Sequence, residues 1–149
     1  MTTKEITYHQ LSQAVRIAFQ NDIQIISLYD PNVEINSIED IVIDIPRKIK
    51  TFASAVLIGV YEKNELIGYF AYQGRILISF SIAVEYRQRK YLREFFYLIN
   101  KELKKDFVCY LWKKNGRACK WLQKNGMEAY DFADHIVKFV CPIKESVNN

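Results

Sequence analysis

Cysteine and histidine are both scarce in this chain. Cys109, Cys119 and Cys141 are the three cysteines in 149 residues. They are odd in number and show no CxxC spacing, which argues against a disulfide frame and reads as buried thiols in a reducing compartment. Two histidines, His9 and His135, argue against a zinc site, so no metal is expected. Long apolar runs are missing as well. The longest falls far short of the roughly 18 residues that suggest a membrane span. The opening MTTKEITYHQ lacks the apolar core of a signal peptide. Together these absences lead to the expectation of a cytoplasmic protein with no membrane partner. Glycine is thin too, with none between Gly74 and Gly116. There are no repeats, linkers or low-complexity segments.

What is present is a core. Half the residues are hydrophobic and 14% are aromatic, enough for a compact fold rather than disorder. The length suits one domain over residues 1–149, with a polar tail from about Lys144 expected to fray. Charge is unevenly distributed. Residues 87–124 carry 12 Lys/Arg against 3 Asp/Glu, a balance of +9, and the remainder carries 9 against 14, a balance of −5. A ligand with several phosphates, a nucleic acid or an acidic protein would each suit the basic part, and a merely soluble basic surface would produce the same count.

Along the chain, Lys4 to His9 reads as a short strand. Leu11 to Gln20 reads as a helix, with Leu11, Ala14, Val15, Ala18 and Phe19 on one face. Asp30-Pro31-Asn32 marks a turn. Ser37-Ile38-Glu39-Asp40 fits a capping box, and Ile38, Ile41, Val42 and Ile45 follow at helical spacing. IVIDI also suits a strand; helix is preferred, and Pro46 limits either. Ala55 to Tyr61 and Glu65 to Tyr72 read as strands around a tight turn at Lys63-Asn64. A turn at Gln73-Gly74 leads to a third, so a three-stranded antiparallel meander is expected.

Residues Ile76 to Lys105 organise the rest. ILISFSIAV, Ile76 to Val84, is a near-continuous apolar run of the kind buried inside a sheet. A basic turn, Glu85 to Lys90, follows. From Tyr91 to about Lys105 a helix is expected, with Leu92, Phe95, Phe96, Ile99 and Leu103 on one stripe. A helix N-terminus offers free N–H groups and the positive end of the dipole, and Arg87, Arg89 and Lys90 add charge there. The combination suits an anion, and it equally suits a solvated turn. Phe107 to Trp112 then reads as a strand. A short helix opens at Asn115-Gly116 and closes at Asn125-Gly126. Glu128 to Tyr130 and His135 to Cys141 read as the last two strands.

This stretch resembles the acetyl-CoA-binding motif of the GCN5-related N-acetyltransferase (GNAT) superfamily, in which a strand is followed by Gln/Arg-x-x-Gly-x-Gly/Ala. The matching hexapeptide is Arg87-Gln88-Arg89-Lys90-Tyr91-Leu92. The arginine is kept, but Lys90 and Leu92 stand where small residues are expected, so the motif is degenerate. Those small residues let backbone N–H groups approach phosphate. Leu66-Ile67-Gly68 is similar to the opening of the family's third strand. Asn115, Ala118, Trp121, Leu122, Gly126 and Met127 resemble its second motif, with Leu122 where a tyrosine often stands. The resemblance covers roughly residues 55–140. It implies an α/β (α+β) fold with a mixed, mostly antiparallel sheet flanked by helices on both faces. It also implies acetyl-CoA as cofactor and acetyl transfer to a small-molecule or peptide amine.

What the resemblance implies can be placed residue by residue. The clamp for the pyrophosphate would be Arg87, Gln88, Arg89, Lys90, Tyr91 and Leu92. The pantetheine arm would pair with Ile82, Ala83 and Val84, with Asn115 on the far wall. Backbone N–H groups near Ile82 to Val84 would serve as oxyanion donors. Asn115 reads equally as a helix cap. Glu85 is the candidate general base, set against the commoner reading of a turn carboxylate. His135, next to Asp134, is a further candidate, set against the commoner reading of a structural histidine. Tyr130 and Tyr110 are candidates to replace the acid absent at Leu122. Cys109 and Cys119 read as core thiols. The alternative function is a GNAT-like domain without turnover, acting as a structural or interaction module for an acidic protein or nucleic acid. Tyr86, Tyr91 and Trp112 beside the cations would suit the latter, while Tyr91 and Trp112 read equally as core residues.

Overall fold

Two apolar stretches joined by a two-residue turn make the first hairpin of the fold. The computed structural model describes residues 1–104 and 106–141. Strands β2 (Val56–Glu62) and β3 (Glu65–Gln73) pair antiparallel across Lys63 and Asn64. Both turn residues have positive φ, 49° and 67°, the twist that a tight hairpin requires. A second reversal at Gly74, φ 58°, leads into β4 (Ile76–Ile82). Strand β3 runs one residue beyond the expected Tyr72, through Gln73. The meander is completed by β1 (Thr2–Glu5), antiparallel to β2.

Beyond β4 the chain crosses over. A one-turn 3-10 helix spans Val84–Tyr86, so Val84 is not part of the strand. After it comes a long helix, Arg89–Leu103, numbered below in chain order as α4. Strand β5 (Val108–Trp112) then lies parallel to β4. Helix α5 (Gly116–Lys124) leads to the antiparallel pair β6 (Glu128–Ala133) and β7 (Ile136–Val140). The β6–β7 turn is Asp134-His135, so β6 runs beyond the expected Tyr130. The seven-stranded sheet has the order β1-β2-β3-β4-β5-β7-β6, with one parallel pair. The expected polar tail and the helix end at Lys105 lie outside the described residues.

Helices α1 (Tyr8–Phe19), α2 (Ile25–Leu28) and α3 (Ile38–Ile49) precede the meander. Helix α1 starts earlier than its apolar face suggests. Thr7 caps it and forms a capping box with Gln10, which ends the expected strand at Glu5. At α3 the box is not made. Ser37 makes no side-chain cap bond, and the Asp40 carboxylate accepts from the Asn36 amide instead, at 2.9 Å. Pro46 sits inside α3, which runs on to Ile49.

The sheet separates two cores. Leu11, Ala14, Val15 and Ala18 of α1 and Ile41, Ile45 and Ile49 of α3 pack on Leu57, Tyr69 and Ala71. On the other face Phe95, Ile99 and Leu103 of α4 and Leu122 of α5 pack on Ile58, Phe70, Leu77 and Ile82. Alternate residues of β2 and β3 therefore serve opposite cores, as a two-residue period requires. Gly68 is the point of closest approach. A Cβ there would lie 2.4 Å from the Ser81 carbonyl oxygen and 2.7 Å from Ile82 Cα, so only glycine lets β4 lie this close.

Candidate functional site

The site begins with a defect in pairing. Strand β4 meets β5 at two positions only, Ile76 with Val108 and Leu77 with Cys109. The β3–β4 register passes from Tyr72–Leu77 to Ala71–Ser79, which leaves Ile78 as an extra residue. A bulge of this kind bends its strand. Immediately after Leu77, β4 departs from β5, while β5 stays paired to β7 as far as Trp112. The two parallel strands open like a V from that point.

A cavity of about 450 Å³ occupies the opening. Ile78 to Ile82 line one wall and Tyr110 to Trp112 the other. Phe80, Phe95 and Trp121 form an aromatic cluster at its side. Trp121 lies 5.3 Å from Phe80 and stacks at 5.6 Å on Phe95, centroid to centroid. Toward α1 and α3 the lining is Phe19, Ile25, Leu28, Ile45 and Ile49, with Tyr29, Asp30 and Lys48 as polar members.

Arg87, the residue expected to grip phosphate, is committed elsewhere. Its Nε donates to the Ile82 carbonyl at 2.9 Å and Nη1 to Asp22 Oδ2 at 2.6 Å. Its Nη2 donates to the Ala18 carbonyl at 2.9 Å. Arg117 reaches the same carboxylate with Nη1 and Nη2, each at 3.0 Å. Asp22 thus ties the end of β4 to the start of α5 across the open side of the V. Burial would raise its carboxyl pKa, but the hydrogen bonds from Arg117 and Arg87 outweigh that and hold it below the ordinary range.

The remaining expected positions divide into three groups. Ile82, Leu92 and Asn115 line the cavity. Asn115 also caps α5 by accepting from the Ala118 amide at 3.4 Å, as its helix-cap reading expects. Ala83 is buried and its N–H donates to the Ile67 carbonyl at 2.8 Å. Val84 and Glu85 are exposed on the 3-10 turn and do not line the cavity. Gln88, Arg89 and Lys90 are exposed at the start of α4. Gln88 is its N-cap but makes no side-chain cap bond. The Leu92 amide donates to the Gln88 carbonyl at 2.9 Å, so the amides of Arg89, Lys90 and Tyr91 make up the uncapped first turn. Lys90 Nζ sits 4.8 Å over the Tyr91 ring, and Tyr91 packs edge-on against Tyr86 at 5.1 Å.

The other candidates sort by place. Tyr110 lines the cavity; Tyr130 and His135 are exposed away from it. Leu122 is fully buried in the core beneath α5. Cys109 is buried, which pushes its thiol pKa well up, as suits a core residue. Sequence reasoning missed Asp22 and Arg117, which are 95 residues apart and carry no local motif. It also missed the half-buried cluster in which Asp44 accepts from Tyr29 at 2.8 Å and pairs with Lys48 at 2.9 Å. Lys48 also bonds Asp30 at 2.7 Å, which pins the chain before the Asp30 turn to α3.

No protein-family model matches the sequence, and no curated protein matches it either. Solved structures do match its shape. An acetyltransferase from Thermus thermophilus superposes with a TM-score of 0.71 at 16% identity, over 96% of this chain and 98% of that one. The Campylobacter jejuni N-acetyltransferase PseH, in complex with acetyl coenzyme A, gives 0.56 at 15% identity over 97% and 100%. A PaiA N-acetyltransferase from Thermoplasma acidophilum, in complex with coenzyme A, gives 0.55 at 17% identity over 93% and 98%. The fold is that of the GNAT superfamily. The mixed, mostly antiparallel sheet with helices on both faces, expected from the resemblance, is the GNAT arrangement observed. No helix among the described residues is long and apolar enough to cross a membrane.

Proposed function

We propose that this protein transfers an acetyl group from acetyl-CoA to an amine. The observation that carries this reading is the V-shaped opening between parallel β4 and β5, lined by both strands and followed directly by the uncapped N-terminus of α4. Uncapped first-turn amides favour an anion, and Arg89 and Lys90 add exposed cations beside them. The residues fit the cofactor in a modified way. Arg89, Lys90 and the first-turn amides, flanked by Gln88 and Tyr91, would hold the pyrophosphate. Arg87 would hold the scaffold, and Leu92 would bound the cavity. The pantetheine arm would lie along Ile82, facing Asn115.

Acetyl-CoA supplies the acetyl group as an activated thioester. The chain supplies orientation and a partly dry cavity. Among the described residues lining it, the carboxylates are Asp22 and Asp30, and both are ion-paired. The amine therefore enters in its neutral form, and its proton leaves through water. Glu85, exposed outside the cavity, would take part only through such water. Tyr110 is the candidate to protonate the departing thiolate, since Leu122 has no proton to give. The lining toward α1 and α3, mainly Phe19, Ile25, Leu28, Ile45 and Ile49, suits a small amine with an apolar body.

A second reading is favoured by one observation. Arg89, Lys90, Arg93, Lys113, Lys114, Lys120 and Lys124 are all exposed, a surface suited to an acidic protein or nucleic acid. Release of free thiol from acetyl-CoA separates the two. Amine-dependent release above spontaneous hydrolysis, across a panel of small aliphatic and aromatic amines, is expected for the enzyme. Release that no amine accelerates would leave the interaction module.

A further inference from the structure

The charged residues that line the cavity do not balance. Asp22 is shared by two guanidiniums: Arg117 grips both of its oxygens at 3.0 Å, and Arg87 bonds Oδ2 at 2.6 Å. Two cations on one carboxylate leave a positive surplus. The other charged lining residues do not offset it. Lys48 pairs with Asp30, and Asp44 pairs with both Lys48 and Arg47, so that group is neutral as a whole.

The surplus sits on an accessible side chain. Arg117 lines the cavity and its side chain is 42% exposed. Two of its N–H groups go to Asp22 and a third reaches Gln24 at 3.5 Å. Among the described residues its Nε–H and the second Nη2–H have no partner. Arg87 is more fully spent, on Ile82, Asp22, Ala18 and Ser81. Buried Asp22 thus fixes the plane of the Arg117 fork in advance, which lowers the cost of ordering it on a ligand. A planar fork with free N–H groups matches a carboxylate. Asp22 also lies between Phe19 and Ile25 in the chain, and both of these line the apolar side of the cavity. Cation and apolar lining therefore adjoin.

We infer that the amine acceptor carries a carboxylate beside an apolar body, as an apolar amino acid does, and that Arg117 is the specificity-determining residue that binds this carboxylate. This rests on the acetyl-transfer reading and narrows its acceptor. In the transfer the amino nitrogen bonds the acetyl carbon and the carbon–sulfur bond breaks. The amine loses one proton and the CoA thiolate gains one. Arg117 takes no part in those steps; it holds the acceptor.

L-Leucine and L-leucinamide test this, because they share the apolar body and differ in the carboxylate. The amide has the less basic amine and is more often neutral near pH 7, so reactivity alone favours it. The expected result is a kcat/KM for thiol release about tenfold higher with leucine in wild type, falling to parity or below in Arg117→Gln. Both substrates are read on one preparation, so any loss of folded protein in the variant cancels in the ratio. Calorimetry adds a readout without turnover. N-acetyl-L-leucine should bind the CoA-saturated wild type about tenfold more tightly than N-acetyl-L-leucinamide, and the two should bind Arg117→Gln alike. Equal handling of acid and amide by wild type overturns the inference, as does a preference for the acid that survives in Arg117→Gln. The Kd for acetyl-CoA should be the same in both proteins; a tenfold weaker value in the variant would give Arg117 to the cofactor and overturn the assignment. If wild type binds no acetyl-CoA, or no amine accelerates thiol release, the acetyl-transfer reading falls and this inference falls with it. If amines without a carboxylate are acetylated as fast as leucine, only this inference falls.

Discussion

Removing the Asp22 carboxylate should cost more stability than any surface ion pair would. Its side chain is 3% exposed and receives three arginine hydrogen bonds, at 2.6, 3.0 and 3.0 Å. Hydrogen bonds to charged groups contribute roughly 1.5–3 kcal/mol each. That sum must be discounted. Burying Asp22 carries its own desolvation cost, and the freed guanidiniums, 23% and 42% exposed, regain water. A net loss of about 2–4 kcal/mol is expected for Asp22→Ala. The assay is urea unfolding of Asp22→Ala, Arg117→Ala and the double variant. The cycle should give a coupling of about 1 kcal/mol, kept small because Arg117 is partly exposed. The pH dependence follows from the same contacts. The folded carboxyl pKa lies below its unfolded value. The contribution is therefore complete above the ordinary aspartate range and is lost as pH falls through the lowered folded value. Stability at pH 3 should thus drop less in Asp22→Ala than in wild type. A loss under about 0.5 kcal/mol, or additive single variants, would refute the claim that this triad braces the opening.

Two further outcomes test other parts of the molecule. Gly68→Ala should destabilise by about 3 kcal/mol, since its Cβ would meet backbone atoms of β4 that no side-chain rotation can clear; an equilibrium midpoint unchanged from wild type would contradict it. Tyr110→Phe should lower the rate of thiol release by roughly tenfold or more while the Kd for acetyl-CoA holds, because only the proton is removed; an equal rate would exclude Tyr110 as the acid.

Much of the fold was legible because its signals are local. The Lys63-Asn64 turn, the apolar stripe of α4 and the Asn115 and Gly126 ends of α5 each announce themselves within a few residues. The α1 start was equally local in Thr7 and Gln10, but the strand reading of Lys4 to His9 obscured it. Pro46 misled in the other direction. Proline removes one helical bond, yet the Lys48 contacts to Asp30 and Asp44 and the burial of Ile49 carry the helix past it. The site was harder to read. Arg87 was found by position, and its partners were not, because Asp22 and Arg117 come from distant parts of the chain and meet only in the folded state. A sequence shows which groups are present and leaves their partners to the fold.

The central claim is that the opening between β4 and β5 holds acetyl-CoA with its pyrophosphate at the start of α4. Calorimetric titration of acetyl-CoA into the wild-type protein and into Arg89→Ala/Lys90→Ala tests it most directly. Wild type should show saturable binding in the micromolar range. Affinity should be roughly tenfold weaker in the double variant, whose substitutions fall on exposed side chains and leave the unfolding midpoint in place. No saturable heat at millimolar acetyl-CoA, or equal affinity in the double variant, would contradict it.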